Sequence, residues 1–287
     1  MCRCERPSFR RLSLELSVFL MQNIDWVTFL LKLVLVPTFI GAVSLAGRRW
    51  GSTVSGWLIG LPFTSGPVAF FLALEQGNVF ASKASVGIML GIVSVFAFCL
   101  AYGRSATRLG WFQSTLVGFT AFVVSTYLLD LTAPPLVIGF VLALLVLAAS
   151  FSLMPRVGSD KISVGRMRWE LPARMVSATA LVFLITGVAQ VLGPQLTGLL
   201  TPFPIYATTL AVFTHRSQGG EEAVKLLRGV IVGSLTFIFF FLIVSLTIVA
   251  WGVAASFLTA IGASFLTHAT SLQLLRFRRR SLGSGLR

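Results

Sequence analysis

Residues 229–267 read GVIVGSLTFIFFFLIVSLTIVAWGVAASFLTAIGASFLT, a run of 39 residues without a charged side chain. A transmembrane helix needs about 20 consecutive apolar residues to cross the hydrocarbon layer, so this run is long enough for two crossings. Two tightly turned helices fit the run better than one very long helix. It therefore predicts a pair of consecutive helices in a lipid bilayer.

The whole chain is also strongly apolar and poor in charged residues. Of its 287 residues, 56% are hydrophobic and 11% are charged. A soluble domain carries about a quarter charged residues, so this composition could not build a water-facing surface. Lys and Arg exceed Asp and Glu by 23 to 9, which in a soluble protein would suggest nucleic acid. Because the basic residues lie in short gaps between apolar runs, we expect no nucleic-acid partner.

Apolar runs long enough to span a membrane recur along the chain. The candidate spans are residues 24–46, 52–75, 80–103, 110–130, 134–153, 171–192, 193–214, 222–244 and 247–270. The sequence thus predicts an all-α, polytopic integral membrane protein with about nine transmembrane helices, and its main partner is the lipid bilayer.

Residues 1–20 precede these spans. They contain four arginines and a short apolar patch, without a small-residue cleavage site after it. Met21 directly precedes QNIDWVTFLLK, which is a natural beginning for a first span. We interpret residues 1–20 as an N-terminal extension, with a poor signal sequence as the alternative.

Basic side chains concentrate in alternate loops, above all in the loop 154–170 and in the tail 276–287. Since cytoplasmic loops carry the excess of Lys and Arg, both segments are expected in the cytoplasm. An odd number of spans then places the N-terminus outside. The short loops are typical of a bacterial inner membrane, so we expect a multi-pass protein of the plasma membrane.

The chain contains an internal repeat. A shift of 142 positions aligns residues 51–91 with 193–233 without a gap, and 12 of 41 positions are identical, five of them glycine. The register defines repeat one as residues 21–153 and repeat two as residues 171–275. Equivalent helices are five spans apart, an odd number, so the two repeats are expected to be inverted in the bilayer. The arginine-rich loops exchange sides between the repeats, as inversion requires.

The second helix of each repeat is interrupted. Residues 55–71 read SGWLIGLPFTSGPVAFF and residues 197–213 read TGLLTPFPIYATTLAVF. Proline inside a helix removes a backbone hydrogen bond and clashes with the preceding turn, at about 3 kcal/mol or more. The residues predicted to break the helices are Gly60, Pro62, Gly66, Pro67, Pro202 and Pro204.

Irregular backbone survives at membrane depth only where it is packed in protein or lines a polar cavity. Hydroxyl groups flank both breaks, at Thr64, Ser65, Tyr206, Thr208 and Thr209. Two half-helix ends that meet near the midplane would form a binding site for a small solute or ion. The alternative is a pair of ordinary proline kinks whose backbone groups are satisfied by nearby Ser and Thr.

Two basic residues fall inside predicted spans, Lys32 in the first and Arg174 in the sixth, and the repeat pairs them. An intramembrane cation is a candidate for substrate binding, although both side chains are long enough to reach towards the headgroups. Glu75 follows the first broken helix and is interpreted as an outer-loop residue, with a gate as the alternative. With no acidic residue at mid-bilayer, a proton or sodium relay has no obvious carboxylate carrier.

The arrangement resembles inverted-repeat secondary transporters with discontinuous helices, such as bile-acid symporters and sodium/proton antiporters. The resemblance is architectural and covers spans one to four and six to nine. It implies a substrate site at the midplane between the two breaks. No residue motif of a named family matches, and the intramembrane aspartate pair of the usual antiporters is missing.

These features predict a secondary transporter that moves a small anionic or zwitterionic solute across the cytoplasmic membrane by alternating access. The alternative is a non-transporting membrane protein, such as an assembly factor or a lipid-handling protein, which needs no central polar cavity. No Walker loop, metal cluster, His–Asp pair or nucleophile constellation occurs, so neither an enzyme nor a metal or cofactor is expected. The oligomeric state stays open, a homo-oligomer included.

Overall fold

The structure, a computed structural model, describes residues 26–49, 62, 64–155, 157 and 170–284. Within these helices, no side chain is described for residues 39, 40, 42–49, 170, 171, 173, 174, 206, 210 and 268–284. In the described residues the fold is entirely helical, which confirms the predicted class. The helices are α1 (Trp26–Arg49), α2 (Ser65–Gln76), α3 (Asn78–Ala106), α4 (Trp111–Thr132), α5 (Leu136–Leu153), α6 (Glu170–Leu200), α7 (Ile205–Gln218) and α8 (Gly220–Ser284).

Five segments are long and apolar enough to cross a membrane: Asn78–Ala106, Trp111–Thr132, Leu136–Leu153, Met175–Leu200 and Gly220–Thr267. The outward faces of these helices carry large apolar side chains; on α4, for example, Phe112, Leu116, Val123 and Leu128 are exposed. A continuous apolar surface of this kind is unfavourable in water and is stable in lipid. The protein is therefore a helical membrane protein.

Two of the long helices are divided by a glycine. Gly193 (φ 71°, ψ 170°) separates residues 170–192 of α6 from residues 194–200. Gly252 (φ 75°, ψ 177°) separates residues 220–251 of α8 from residues 253–284. Positive φ is a conformation that glycine adopts without the steric cost of a Cβ.

The chain turns back at Gly252. The rings of Phe240 and Phe257 lie 5.9 Å apart. If one straight helix contained both residues, they would be about 25 Å apart, because they are 17 positions apart in sequence and a helix rises 1.5 Å per residue. The uncharged run 229–267 thus forms two consecutive helices that pack against each other.

Two pairs of helices run antiparallel. Phe29, near the start of α1, contacts Phe183 with 5.1 Å between ring centroids. A Cβ added to Gly41, further along α1, would lie 3.6 Å from Met175 of α6. In the second pair, the Ser82 hydroxyl of α3 donates to the Ser245 carbonyl of α8 at 2.7 Å. The other end of α3 packs against the beginning of α8, since Gly103 lies beside Val224.

Helix α3 is the centre of the fold and packs against α4, α5, α6 and α8. Its closest approach is to residues 194–200 of α6, where glycines face each other. A Cβ added to Gly87 would lie 2.6 Å from the Gln195 carbonyl oxygen, and one added to Gly198 would collide with the Ala84 carbonyl. The backbones touch directly, as small residues allow in membrane helix pairs. This contact fixes the break after residue 200 against α3.

We expect Gly198→Ala to destabilise the protein by about 1–3 kcal/mol, because its methyl group would force α3 and α6 apart. The matched control is Gly187→Ala, at an exposed position of α6 where an added Cβ meets nothing within 4 Å. Alanine forms helix better than glycine, so the control should retain or raise the melting temperature. Thermal unfolding in detergent measures both variants. Equal melting temperatures for the two would contradict the packing described.

Candidate functional site

The predicted first break lies directly before α2. The Gly66 amide donates to the Pro62 carbonyl at 2.7 Å, and Thr64 is the residue before the first residue of α2, Ser65. Pro62 is buried; Gly60 and the predicted first half of this helix lie outside the described residues, so the interruption at Pro62 stays a prediction. Gly66 and Pro67 were predicted to break the helix, but both lie in the first turn of α2. Proline is tolerated there because its missing N–H would have no helical acceptor.

The second break comprises residues 201–204, between α6 and α7. The Phe203 amide donates to the Leu200 carbonyl at 3.1 Å, and the Ile205 amide donates to the Phe203 carbonyl at 2.7 Å. The latter bond closes a three-residue turn centred on Pro204 (φ −79°, ψ 47°). Pro202 and Pro204 are buried, and the predicted interruption of the helix is present at both residues.

One shallow recess lies between the beginning of α2, the second break and the first part of α6, and it is too narrow to hold a water molecule. Its lining residues are Thr64, Ser177, Ala178, Leu181, Phe203 and Ile205. Phe203 also stacks on Phe119 of α4, with 5.5 Å between ring centroids, so the second break is held from its other side. The beginning of α2 and the second break are thus neighbours across α6.

Two of the predicted hydroxyls are buried without a hydrogen-bond partner among the described residues: Ser65 Oγ and Thr208 Oγ1. They lie in the first turns of α2 and α7, the two half-helices that begin at the breaks. An unsatisfied buried hydroxyl costs about 1–3 kcal/mol, which a bound water or solute would recover. Neither hydroxyl lines the recess, so both stay candidates because of their position at the beginnings of α2 and α7.

The other predicted hydroxyls differ from these two. Thr209 is exposed and donates to the Ile205 carbonyl of its own helix at 2.8 Å. Thr64 is half-buried in the recess. The side chains of Tyr206 and Arg174 lie outside the described residues. Buried hydroxyls without a partner also occur in α3, α4 and α8, at Ser85, Ser114 and Ser256, so it is the position at the breaks that distinguishes Ser65 and Thr208.

Lys32 forms a buried ion pair with Glu75. Lys32 Nζ contacts a carboxylate oxygen of Glu75 and donates to Thr186 Oγ1 at 2.6 Å. The ammonium group lies 5.6 Å from the ring centroid of Phe71 and 5.5 Å from that of Phe183. These contacts join α1, α2 and α6 through one cation, which aromatic faces also stabilise.

The interpretation of Glu75 as an outer-loop residue is wrong. Glu75 lies in the last turn of α2, four residues after Phe71, and its side chain is 23% exposed compared with 7% for Lys32. Residues 68, 71, 72 and 75 share one face of α2, and the first three of them are buried. That helical spacing was the sequence signal that the partly exposed carboxylate of Glu75 faces the neighbouring helices.

The remaining ionisable contacts lie elsewhere. Lys225 pairs with Glu222 within α8 at 2.5 Å, and the hydroxyl of Tyr102 lies 3.2 Å from His215 Nδ1. In the part of the chain that the structure describes, no group of three His, Cys, Asp or Glu side chains could hold a metal ion.

Comparison of the chain with protein-family models, with curated proteins and with solved structures gives no match. The function must be argued from the residues themselves.

We expect Glu75→Leu to destabilise the protein by about 3 kcal/mol, because it leaves the ammonium of Lys32 buried without a counter-charge. Lys32→Met should cost less, since the partly exposed Glu75 carboxylate can reach water, and the double variant should recover most of the loss. Lys83→Met, at an exposed position of α3, is the control. Chemical unfolding in detergent gives the free energies. A Glu75→Leu variant as stable as Lys83→Met would contradict the pairing.

Proposed function

We propose that the protein is a secondary transporter that moves a small anionic or zwitterionic solute across the cytoplasmic membrane by alternating access. The observation that carries the proposal is the proline break at residues 201–204, which lies beside the beginning of α2. Ser65 and Thr208, the buried hydroxyls without partners, lie at the beginnings of α2 and α7. Discontinuous helices of this kind hold substrates in inverted-repeat transporters.

The proposal includes nine spans. Gly193 and Gly252 each divide a long helix at positive φ, which supports counting α6 and α8 as more than one crossing each. The break at 201–204 lies within a single proposed span, made of residues 194–200 together with α7. The second span, its equivalent in the first repeat, would have α2 as its last part, as the seventh span has α7.

The proposal also includes an inverted repeat. Gly77 (φ 85°, ψ 167°) precedes α3, and Gly219 (φ 98°, ψ 169°), 142 positions later, precedes α8 in nearly the same conformation. In the 142-residue shift of the repeat, residue 224 is equivalent to Ser82 and residue 103 is equivalent to Ser245. An inverted repeat therefore predicts a contact between residues 103 and 224 that matches the contact between Ser82 and Ser245. Gly103 and Val224 lie beside each other, and the paired helices are antiparallel. A two-fold axis in the membrane plane would produce this exchange.

Two features favour an anionic group on the solute. Helices α2 and α7 both begin at the recess, and the N-terminus of a helix carries a partial positive charge that attracts anions. Neither helix has an acidic residue in its first turn to neutralise that charge.

We expect replacement of Ser65 and Thr208 by alanine to lower solute flux about tenfold for each hydroxyl, because a hydrogen bond to a charged group contributes about 1.5–3 kcal/mol. The assay is uptake of labelled phosphate, sulfate, succinate and glutamate by liposomes that contain the purified protein. The control is Thr120→Ala, which removes an exposed hydroxyl that donates to the Leu116 carbonyl.

Flux above that of protein-free liposomes for one of these solutes, lowered in the two site variants and normal in the control, supports the proposal. Full flux in the double variant would remove Ser65 and Thr208 from the site. Wild-type liposomes that transport none of the four solutes would count against an anion transporter.

A further inference from the structure

We propose that Arg104, Arg108 and Arg216 bind the headgroup of an anionic phospholipid in the cytoplasmic leaflet of the membrane. These three residues form the arginine patch, which lies where α3 ends, α4 begins and α7 ends. The lipid phosphate contacts the guanidinium groups, and the acyl chains cover exposed apolar side chains next to them. The proposal concerns a binding partner and does not depend on transport.

The arginine patch lies at the level of the membrane surface. Helices α3 and α4 are both long and apolar enough to cross a membrane, and the short connection between Ala106 and Trp111 joins their ends. This connection is therefore expected where the hydrocarbon layer meets the headgroups. Trp111 is exposed there, and tryptophan is enriched at this level of membrane proteins.

The loop after α5 indicates which leaflet is involved. Met154, the first residue of the basic loop 154–170, packs against Gly103, which directly precedes Arg104. The arginine patch is thus on the same side of the membrane as that loop, which is expected in the cytoplasm. The cytoplasmic leaflet is also the one whose anionic lipids attract basic segments.

The connection between α3 and α4 brings two of the arginines together. Arg104 lies in the last turn of α3. The amides of Arg108 and Leu109 both donate to the Ser105 carbonyl, at 2.9 and 2.8 Å. The chain therefore folds back over the end of α3, which places Arg108 beside the turn that contains Arg104.

The third arginine comes from α7. The guanidinium carbon of Arg216 lies 6.0 Å from the ring centroid of Trp111, three positions after Arg108. The residue before Arg216 is His215, whose Nδ1 lies 3.2 Å from the hydroxyl of Tyr102 in α3. This contact and the aromatic contact hold the end of α7 against the ends of α3 and α4, so all three arginines face the same region.

Carboxylates do not neutralise the arginine patch. Among the described residues, no Asp or Glu forms an ion pair with any of its three arginines. The two acidic residues at the beginning of α8 are Glu221, which is exposed, and Glu222, which pairs with Lys225. With Glu221 counted, three positive charges face one negative charge, so an excess of two positive charges remains for an external anion.

Arg228 provides a contrast near the same end of the protein. It is half-buried, donates to the Pro155 carbonyl at 3.2 Å, and its guanidinium carbon lies 4.9 Å from the ring centroid of Phe151. In the part of the chain that the structure describes, the side chains of the arginine patch are exposed and donate to no acceptor. Their N–H groups can therefore bind a phosphate, which matches the planar guanidinium in bidentate geometry.

Apolar side chains beside the arginine patch favour a lipid over a soluble anion. Leu109, next to Arg108, is exposed, and Phe112, next to Trp111, is 65% exposed. A free phosphate would leave these side chains uncovered, whereas acyl chains would cover them. The combination of positive charge and apolar surface fits a molecule that has an anionic headgroup and apolar chains.

The test uses the full-length protein in detergent, with phosphatidylglycerol as the anionic lipid and phosphatidylcholine as the neutral one. Inorganic phosphate and glycerol 3-phosphate present the headgroup chemistry without acyl chains. Thermal unfolding is followed as each compound is titrated, because a ligand of the folded state raises the melting temperature with its concentration. The variants are Arg104→Gln, Arg108→Gln and Arg216→Gln, singly and together. The control is Lys83→Gln, which removes an exposed cation near the other end of α3.

We expect phosphatidylglycerol to raise the melting temperature of the wild type more than phosphatidylcholine does, by an amount that falls as salt is added. Each single variant should bind phosphatidylglycerol about fivefold more weakly, and the triple variant about a hundredfold more weakly, since each basic residue near an anionic headgroup adds a similar attraction. Lys83→Gln should bind phosphatidylglycerol as tightly as the wild type.

Equal stabilisation of the wild type by the two lipids would overturn the proposal, as would undiminished binding of phosphatidylglycerol by the triple variant. Phosphate or glycerol 3-phosphate that binds as tightly as phosphatidylglycerol would indicate a site for a soluble anion and would also overturn it. A loss in Lys83→Gln as large as that in Arg216→Gln would show a general effect of charge and count against the patch. If the triple variant does not fold, the single variants decide. Failure of the transport assays would leave this proposal standing, because none of these measurements depends on flux.

Discussion

The structure depends on one constraint, which is that every backbone N–H and C=O group inside the lipid must find a partner within the protein. Regular helices meet it, and they make up nearly all of the described chain. The break at 201–204 is an exception, and neighbouring helices cover its two prolines. The direct backbone contact between Gly198 and α3 holds this break, and Phe203 stacks on Phe119 of α4 while it keeps an exposed face. The prolines of this interruption are thus buried within the protein.

The same constraint gives the Lys32–Glu75 pair its importance. Separating the two charges would leave one of them uncompensated in a low-dielectric environment, so the pair links α1, α2 and α6 in the present arrangement. The packing of these three helices thus depends in part on one interaction between charged groups.

Much of the fold could be predicted because it depends on local sequence. The predicted spans 110–130 and 134–153 agree with Trp111–Thr132 and Leu136–Leu153 to within two residues, since Gly110 and Pro135 mark their beginnings. The break at Pro202 and Pro204 follows from proline chemistry alone. Glu75 could not be paired with Lys32 in this way, because their contact depends on how α1 packs against α2. Nor could the sequence distinguish Thr208 from Thr209, since the rotation of α7 decides which hydroxyl is buried.

The central claim, that the two breaks line one site reached from water, is tested most directly by thiol labelling. Cysteine would be placed at position 65 or 208 in a chain whose Cys2 and Cys4 are replaced by serine, and a membrane-impermeant thiol reagent would be applied to each face of sealed vesicles. The native Cys99, wholly buried in α3, serves as the unreactive internal control. The account predicts that both introduced cysteines react, each from either face as the protein alternates. Two cysteines that stay as unreactive as Cys99 from both faces would show that the breaks are packed dry, and would contradict the account.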